Sequence, residues 1–272
     1  MTSSTARERY TLGHHPSVLR THSWRTAENS AAHLLPHLHA GLQVLDLGSG
    51  PGTITLDLAR LVAPGTVVGV DASDEVTADA RARAAAAGVG NVSFTVGDAY
   101  ALDLPDDSVD VAHVHQLLQH VADPVAVISE LRRVVRPGGI IALREIVYGG
   151  AVWYPLSPGL SRWMEVYQEL ARANGGEPDA GSRLKSWAME AGLTDLRSTA
   201  SVWSFESPVD REWWGGAWSE RAQTSSFATQ ALETGIADDA DLERISTAWR
   251  DWVDADDGWF AVPHGEIIAT VR

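Results

Sequence analysis

Three aspartates and two histidines in the first half of the chain stand where a bound nucleoside would need them. Asp46, Asp71 and Asp98 each close a short apolar run; His115 and His120 follow a fourth; Gly48, Gly50 and Gly52 alternate directly behind Asp46. Glycines between a strand and a helix bring backbone N–H groups close to a ligand. Their strict alternation differs from the G-x-G-x-x-G spacing that sets a helix N-terminus against a pyrophosphate, and the Asp46 carboxylate would repel phosphate. A ligand with an amino-acid end fits better, because its ammonium tolerates the acid and its carboxylate suits turn N–H groups or a helix N-terminus. Asp71 lies about twenty residues past the turn, where an acid accepts from two ribose hydroxyls. Asp98 is placed to accept from an adenine amine. Imidazole titrates near neutral pH, so His115 and His120 are candidate bases.

The elements that must position these groups follow from periodicity. Val44, Leu45 and Leu47 form a buried strand, and Thr53 begins a helix with Ile54, Leu58, Leu61 and Val62 on one face, ended by Pro64-Gly65. Val67, Val68 and Val70 make a second strand ending at Asp71; Ser73 caps the next helix, with Asp74 and Glu75 in its positive first turn. Val92, Phe94 and Val96 form a third strand, and residues 109–114 a fourth. Asp123 caps a helix with Pro124 at its first position, and Pro137-Gly138-Gly139 stops it before a fifth strand over residues 140–147. Strands alternating with helices predict a doubly wound α/β fold with a mostly parallel sheet, whose ligand crevice lies at the carboxyl ends of its strands. Asp46, Asp71, Asp98 and His115 all fall there. Residues 202–205 and 266–271 read as the last two strands, seven in all, and residues 25–38 as a short helix across the ligand edge, with Ala27, Ala31, Leu34 and Leu38 at helical spacing.

From about Ala40 to Val147 the chain resembles the class I S-adenosylmethionine-dependent methyltransferases, in the group that includes the ubiquinone and menaquinone C-methyltransferases and many small-molecule enzymes. Val-Leu-Asp-Leu-Gly-Ser-Gly-Pro-Gly at 44–52, Val-Gly-Val-Asp at 68–71, Val-Gly-Asp-Ala at 96–99 and Leu-Arg-Arg-Val-Val-Arg-Pro-Gly-Gly at 131–139 carry the resemblance. It implies a Rossmann-like fold whose last strand is antiparallel, S-adenosyl-L-methionine as cofactor, and contacts to it from Asp46, Gly48, Ser49, Gly50, Asp71, Ala72, Gly97, Asp98, Ala99, His115, Gln116 and Arg25. Ser49 stands where that group often has cysteine. The chain lacks the Asn-Pro-Pro-Tyr or Asp-Pro-Pro-Tyr segment after strand four that amino-methylating nucleic-acid enzymes carry.

A sulfonium methyl is already an activated electrophile, so the protein must align the acceptor, exclude water and, for a hydroxyl or carbon acid, supply a base. His115, His120 and His14 are the catalytic candidates, the last if residues 1–40 fold over as an arm or lid; His15 shares that segment, and His264 precedes the last strand. Residues 41–150 would then form the cofactor-binding core, and 151–272 would complete the sheet and add helical acceptor-binding insertions. Ten of the eleven tryptophans lie in that last part. Most read as core packing, whereas Trp213-Trp214-Gly215-Gly216-Ala217-Trp218 is a candidate pocket lining.

Composition narrows the partners. A net charge of −15 opposes polyanions, and no run of Lys and Arg offsets it. The expected acceptor is a small molecule, aromatic or polyketide-like, with no nucleic-acid partner. Absent cysteine removes thiolate chemistry, including cysteine-dependent arsenite methylation. No metal is expected: His33, His37 and His39 invite a metal reading, but Pro36 breaks the helix that would align them, so they read as a solvated helix end. The polar first ten residues and the lack of a long apolar run predict a cytoplasmic protein without a membrane span. Two rival readings are a protein of the same fold that uses S-adenosylmethionine structurally or electrostatically in a non-methylating reaction, and a nicotinamide-dependent oxidoreductase.

Overall fold

The computed structural model describes Thr11 and residues 24–272. Its centre is an eight-stranded sheet in which β1 (Gln43–Leu47), β2 (Thr66–Asp71), β3 (Val92–Val96), β4 (Val109–His115) and β5 (Val135–Ile146) run parallel in the order β3-β2-β1-β4-β5. Beyond β5, the long strand β8 (Trp259–Thr270) enters antiparallel, flanked by β7 (Asp195–Phe205) and, along its first residues, by the short β6 (Val152–Tyr154). Strand order reverses at β1, between β2 and β4, and at such a switch point the crossover connections part and leave a crevice.

Helices cover both faces. On one side α1 (Ala27–Ser30) and α2 (Thr53–Val62) bury Ala27, Ile54, Leu58 and Val62 against Val44, Val67, Val111 and Ala142, while α3 (Asp74–Ala86) packs Ala80 and Ala84 on Leu56 and Phe94. On the other side α4 (Pro124–Val134) presents Val127, Ile128 and Leu131 to Leu45, Ala112, Val114 and Leu143. The alternation of these two residue sets along each strand is the period-two pattern of a sheet buried on both faces.

The remaining helices, α5 (Pro158–Ala173), α6 (Ala180–Glu190), α7 (Pro208–Arg211), α8 (Ala217–Thr224), α9 (Ser226–Thr234) and α10 (Asp239–Asp254), belong to the C-terminal half. All but the short α7 and α6, which packs beside α4, enclose an aromatic core of Trp163, Tyr167, Trp214, Trp218, Phe227, Trp249, Trp252 and Phe260. Trp163 stands edge-on to Trp218 and Trp249 at 4.8 Å each, the arrangement that ring quadrupoles favour.

Four expectations are corrected. The 25–38 segment is not one helix: α1 ends at Ser30 and a separate 3-10 turn spans Leu35–His37, because Pro36 would clash with the carbonyl one turn back in a continuous helix. Pro137-Gly138-Gly139 does not stop α4, which already ends at Val134. Those residues bulge out of β5 between the Val109–Val135 and Val111–Ile140 pairs, with Gly138 at φ 81°. The segment Trp213–Trp218 lines no part of the strand-end cavity: Glu212–Gly216 is a π-helical turn whose Gly215 packs on Trp252 and Val253, and Trp214 and Trp218 join the aromatic core. His33 is no solvated helix end, for its side chain is buried with Nδ1 4.0 Å from Glu266 Oε1. Among the described residues no group of His, Asp and Glu is arranged to hold a metal, and no helix is long and apolar enough to cross a membrane.

Candidate active site at the carboxyl ends of the strands

A cavity of about 900 Å³ opens at the switch point. All twelve residues expected to contact the cofactor lie on its wall, as does His120. His14 lies outside the described residues.

The three acids differ in what holds them. Asp71 takes one backbone N–H on each oxygen, from Gly50 at 3.0 Å and Ser73 at 3.1 Å. Ser73 is the helix cap, its hydroxyl accepting from Val76 N. Asp71 is therefore oriented by the turn without being consumed as a cap. Asp98 accepts from Tyr100 N at 2.9 Å, a turn-forming bond that fixes the carboxylate at the cavity wall. Asp46 is buried on the cavity wall, with Oδ2 accepting from Thr55 Oγ1 at 2.6 Å and Oδ1 2.7 Å from His113 Nδ1, so each oxygen uses one of its two lone pairs in these bonds. The turn between them needs its glycines. Gly52 sits at φ 80°, and a Cβ there would lie 2.7 Å from the Phe94 ring; Gly50, at φ 53°, directs its N–H to Asp71.

Proton placement among the histidines follows from which partners can only donate or only accept. Arg25 Nη2 donates to Gln116 Oε1 at 2.7 Å, which turns the Gln116 amide nitrogen toward His264 Nε2, 2.9 Å away. His264 must therefore accept at Nε2 and carry its proton on Nδ1, so its basic nitrogen is occupied. His113 donates from Nδ1 to the Asp46 carboxylate and lies outside the cavity wall. His115 remains. It is 5% exposed, lines the cavity, and neither ring nitrogen has a hydrogen-bond partner among the described residues. Burial, then the charges of Arg25 and Arg144, hold it well below its ordinary pKa. Burial and Arg25 hold His120 at about 3. Both rings are neutral at neutral pH.

Glu145, which sequence reasoning left out, and Gln116, which it expected here, both shape this wall. Glu145, buried in β5, accepts from the backbone N–H groups of Leu117 at 2.8 Å, Leu118 at 2.7 Å and Gln119 at 3.4 Å, tying down the loop after β4. Burial raises it to about 8 against the pull of those three donors. Gln116 is held at φ 54°, in the left-handed region, by its N–H bond to Arg144 O and by its two side-chain bonds. A strained non-glycine residue clamped from several sides is a feature of ligand sites. The legible signal was a charged pair, Arg144-Glu145, inside an otherwise apolar strand; a buried charge demands partners.

Comparison with known proteins agrees with this geometry. A methyltransferase-domain family matches residues 38–192. An uncharacterized methyltransferase of Schizosaccharomyces pombe is 32% identical over 279 residues, covering 98% of each chain, and a probable methyltransferase of Aspergillus luteorubrus is 27% identical over 290 residues, covering 99% of each. In fold, the YcgJ protein of Bacillus subtilis matches with a TM-score of 0.61 at 20% identity, over 90% of this chain and 99% of that one. Fold and site together define a class I S-adenosylmethionine-dependent methyltransferase. The chain belongs to the methyltransferase-domain family.

Proposed function

We propose that the chain transfers the methyl group to an oxygen or carbon atom of a small acceptor, aromatic or polyketide-like, with His115 taking the acceptor's proton. The observation that carries this reading is the bare, buried imidazole of His115 on the wall of the cavity. An unpartnered ring in so dry a place costs stability unless a ligand meets it.

The residues present fit the cofactor. Asp71 would hold the ribose and Asp98 the adenine amine; Asp46, the Gly48–Gly50 turn and Arg25 would hold the amino-acid end, with Ser49 Oγ, buried and without a partner among the described residues, one more polar atom for it. When bound, the sulfonium supplies a methyl already activated for displacement. The chain's own residues bind, orient and exclude water. His115, neutral and with a free lone pair, accepts a proton from a phenol, enol or carbon acid at its side of the cavity. A carboxylate beside Arg25 would offset the charge that follows burial in lowering His115 and His120, moving both toward the range of a working base.

The test is methyl transfer from labelled S-adenosylmethionine to a panel of phenols, enolisable diketones and amines. Label is expected on oxygen or carbon, with His115→Phe lowering turnover by about 10²- to 10⁴-fold while S-adenosylhomocysteine affinity stays within about threefold. Transfer to amines alone, indifferent to His115, would sink the reading.

A further inference from the structure

We propose that Trp203 is a positioning residue of this site, holding Arg25 over the cavity by gripping both the guanidinium and the chain on either side of it. The inference rests on the reading of Arg25 as a cofactor contact. Trp203 lies on β7, beyond the 38–192 span shared with the family, as do Trp24 and Arg25 before it. The grip is thus built from parts of the chain that the family core does not supply.

Three contacts converge on the one indole, which is 5% exposed. Trp203 Nε1 donates to Asn29 O at 2.7 Å, anchoring the residue four places after Arg25. Its ring meets Trp24 edge-on at 5.3 Å, anchoring the residue just before; Trp24 is also packed against Trp213 at 4.7 Å and Phe205 at 5.7 Å. Between these anchors the Arg25 guanidinium carbon lies over the Trp203 ring, 5.7 Å from its centroid, inside the range of a cation–π attraction.

A second cation sharpens the need for that ring. Arg144 is buried and lies over the same indole at 4.8 Å, with Glu266 as its ion-pair partner at 3.3 Å. Arg25 and Arg144 repel each other, and their shared aromatic neighbour attracts both. The same indole packs against the rings of His115 at 5.5 Å and His264 at 4.4 Å. Trp203 therefore joins the segment that carries Arg25 to the strand-end wall that carries His115.

The experiment is calorimetric titration with S-adenosylhomocysteine of the wild type, Arg25→Ala, Trp203→Leu, Trp203→Phe and the double variant R25A/W203L, each first checked for folding by thermal melting. Arg25→Ala and Trp203→Leu are each expected to raise the dissociation constant about tenfold. The double variant should be no weaker than Arg25→Ala, since both changes remove one interaction. Trp203→Phe keeps an aromatic face and should lose about threefold or less. Trp24→Leu leaves β7 intact and repeats the test from the other side should Trp203→Leu not fold; it should cost about three- to tenfold. A second readout is the titration of His115 and His120 by NMR, which should move upward in Trp203→Leu as the ordered cation leaves. Wild-type affinity in Trp203→Leu and Trp24→Leu, or an additive double variant near a hundredfold, overturns the inference while leaving Arg25 in place. A wild type that binds no cofactor, or an Arg25→Ala that binds normally, sinks the underlying reading as well.

Discussion

Asp71 is the residue on which the cofactor reading leans hardest. Two backbone N–H groups pin its carboxylate at the mouth of the glycine turn, and a bidentate charged contact to ribose hydroxyls is worth about 2 to 3 kcal/mol. Asp71→Ala is expected to weaken S-adenosylhomocysteine binding by roughly 30- to 150-fold in calorimetry. A loss below about threefold would return Asp71 to the role of a turn acid. At this scale the sequence showed the cavity-lining acids well, because each ends an apolar run and so must emerge at a strand's carboxyl end. It did not show their supports. His113 binds Asp46 because the two are paired across β1 and β4, a register that a single sequence does not reveal. Trp203 looked like one core tryptophan among ten, and nothing in its neighbours along the chain signals Asn29, Trp24 or Arg25.

Among the elements, the loop from Gln116 to His120 lines the cavity with Gln116, Leu117 and His120, and one side chain holds three of its backbone N–H groups. Removing the Glu145 carboxyl group leaves the N–H groups of Leu117, Leu118 and Gln119 without their acceptor. Glu145→Ala should therefore lower the unfolding free energy by about 3 kcal/mol or more and weaken cofactor binding with it. Glu145→Gln keeps an acceptor oxygen and should recover most of both. Denaturant titration separates the outcomes, and equal stability of the two variants would show that the loop stands without this acceptor. Strands β1, β2 and β4 were legible from continuous apolar runs because burial on both faces removes any polar alternation. The start of β5 was not, since a Pro-Gly-Gly bulge mimics a helix stop. The π-helical turn at Glu212–Gly216 was hidden as well, its tryptophans being recruited by a core assembled from distant helices.

Across the whole molecule, one face of the sheet carries apolar packing at its amino ends and ionisable groups nearer its carboxyl ends, and that gradient makes stability depend on pH. His33, His115, His120 and His264 are all held below the ordinary histidine value, burial being the largest cause in each case. The stability gained by keeping them neutral is complete above about pH 6.5 and drains away as pH falls toward the folded values, about 4 for His33 and about 3 for His120. Glu145 acts the other way, its contribution present at low pH and lost as pH rises through about 8. Four histidines against one glutamate predict a thermal midpoint that climbs between about pH 4 and 6.5, and a midpoint that fell across that window would contradict the buried, neutral histidines. The aromatic half stiffens the same frame: Trp163→Ala, at the centre of the indole cluster, should cost about 3 to 5 kcal/mol in denaturant unfolding. We propose that the switch-point cavity holds the cofactor with its reacting end toward His115. A crystal structure with S-adenosylhomocysteine tests it most directly: ribose hydroxyls on Asp71, adenine beside Asp98 and sulfur on the His115 side are the predicted result, and a ligand bound elsewhere, or with its sulfur turned toward Asp98, would contradict it.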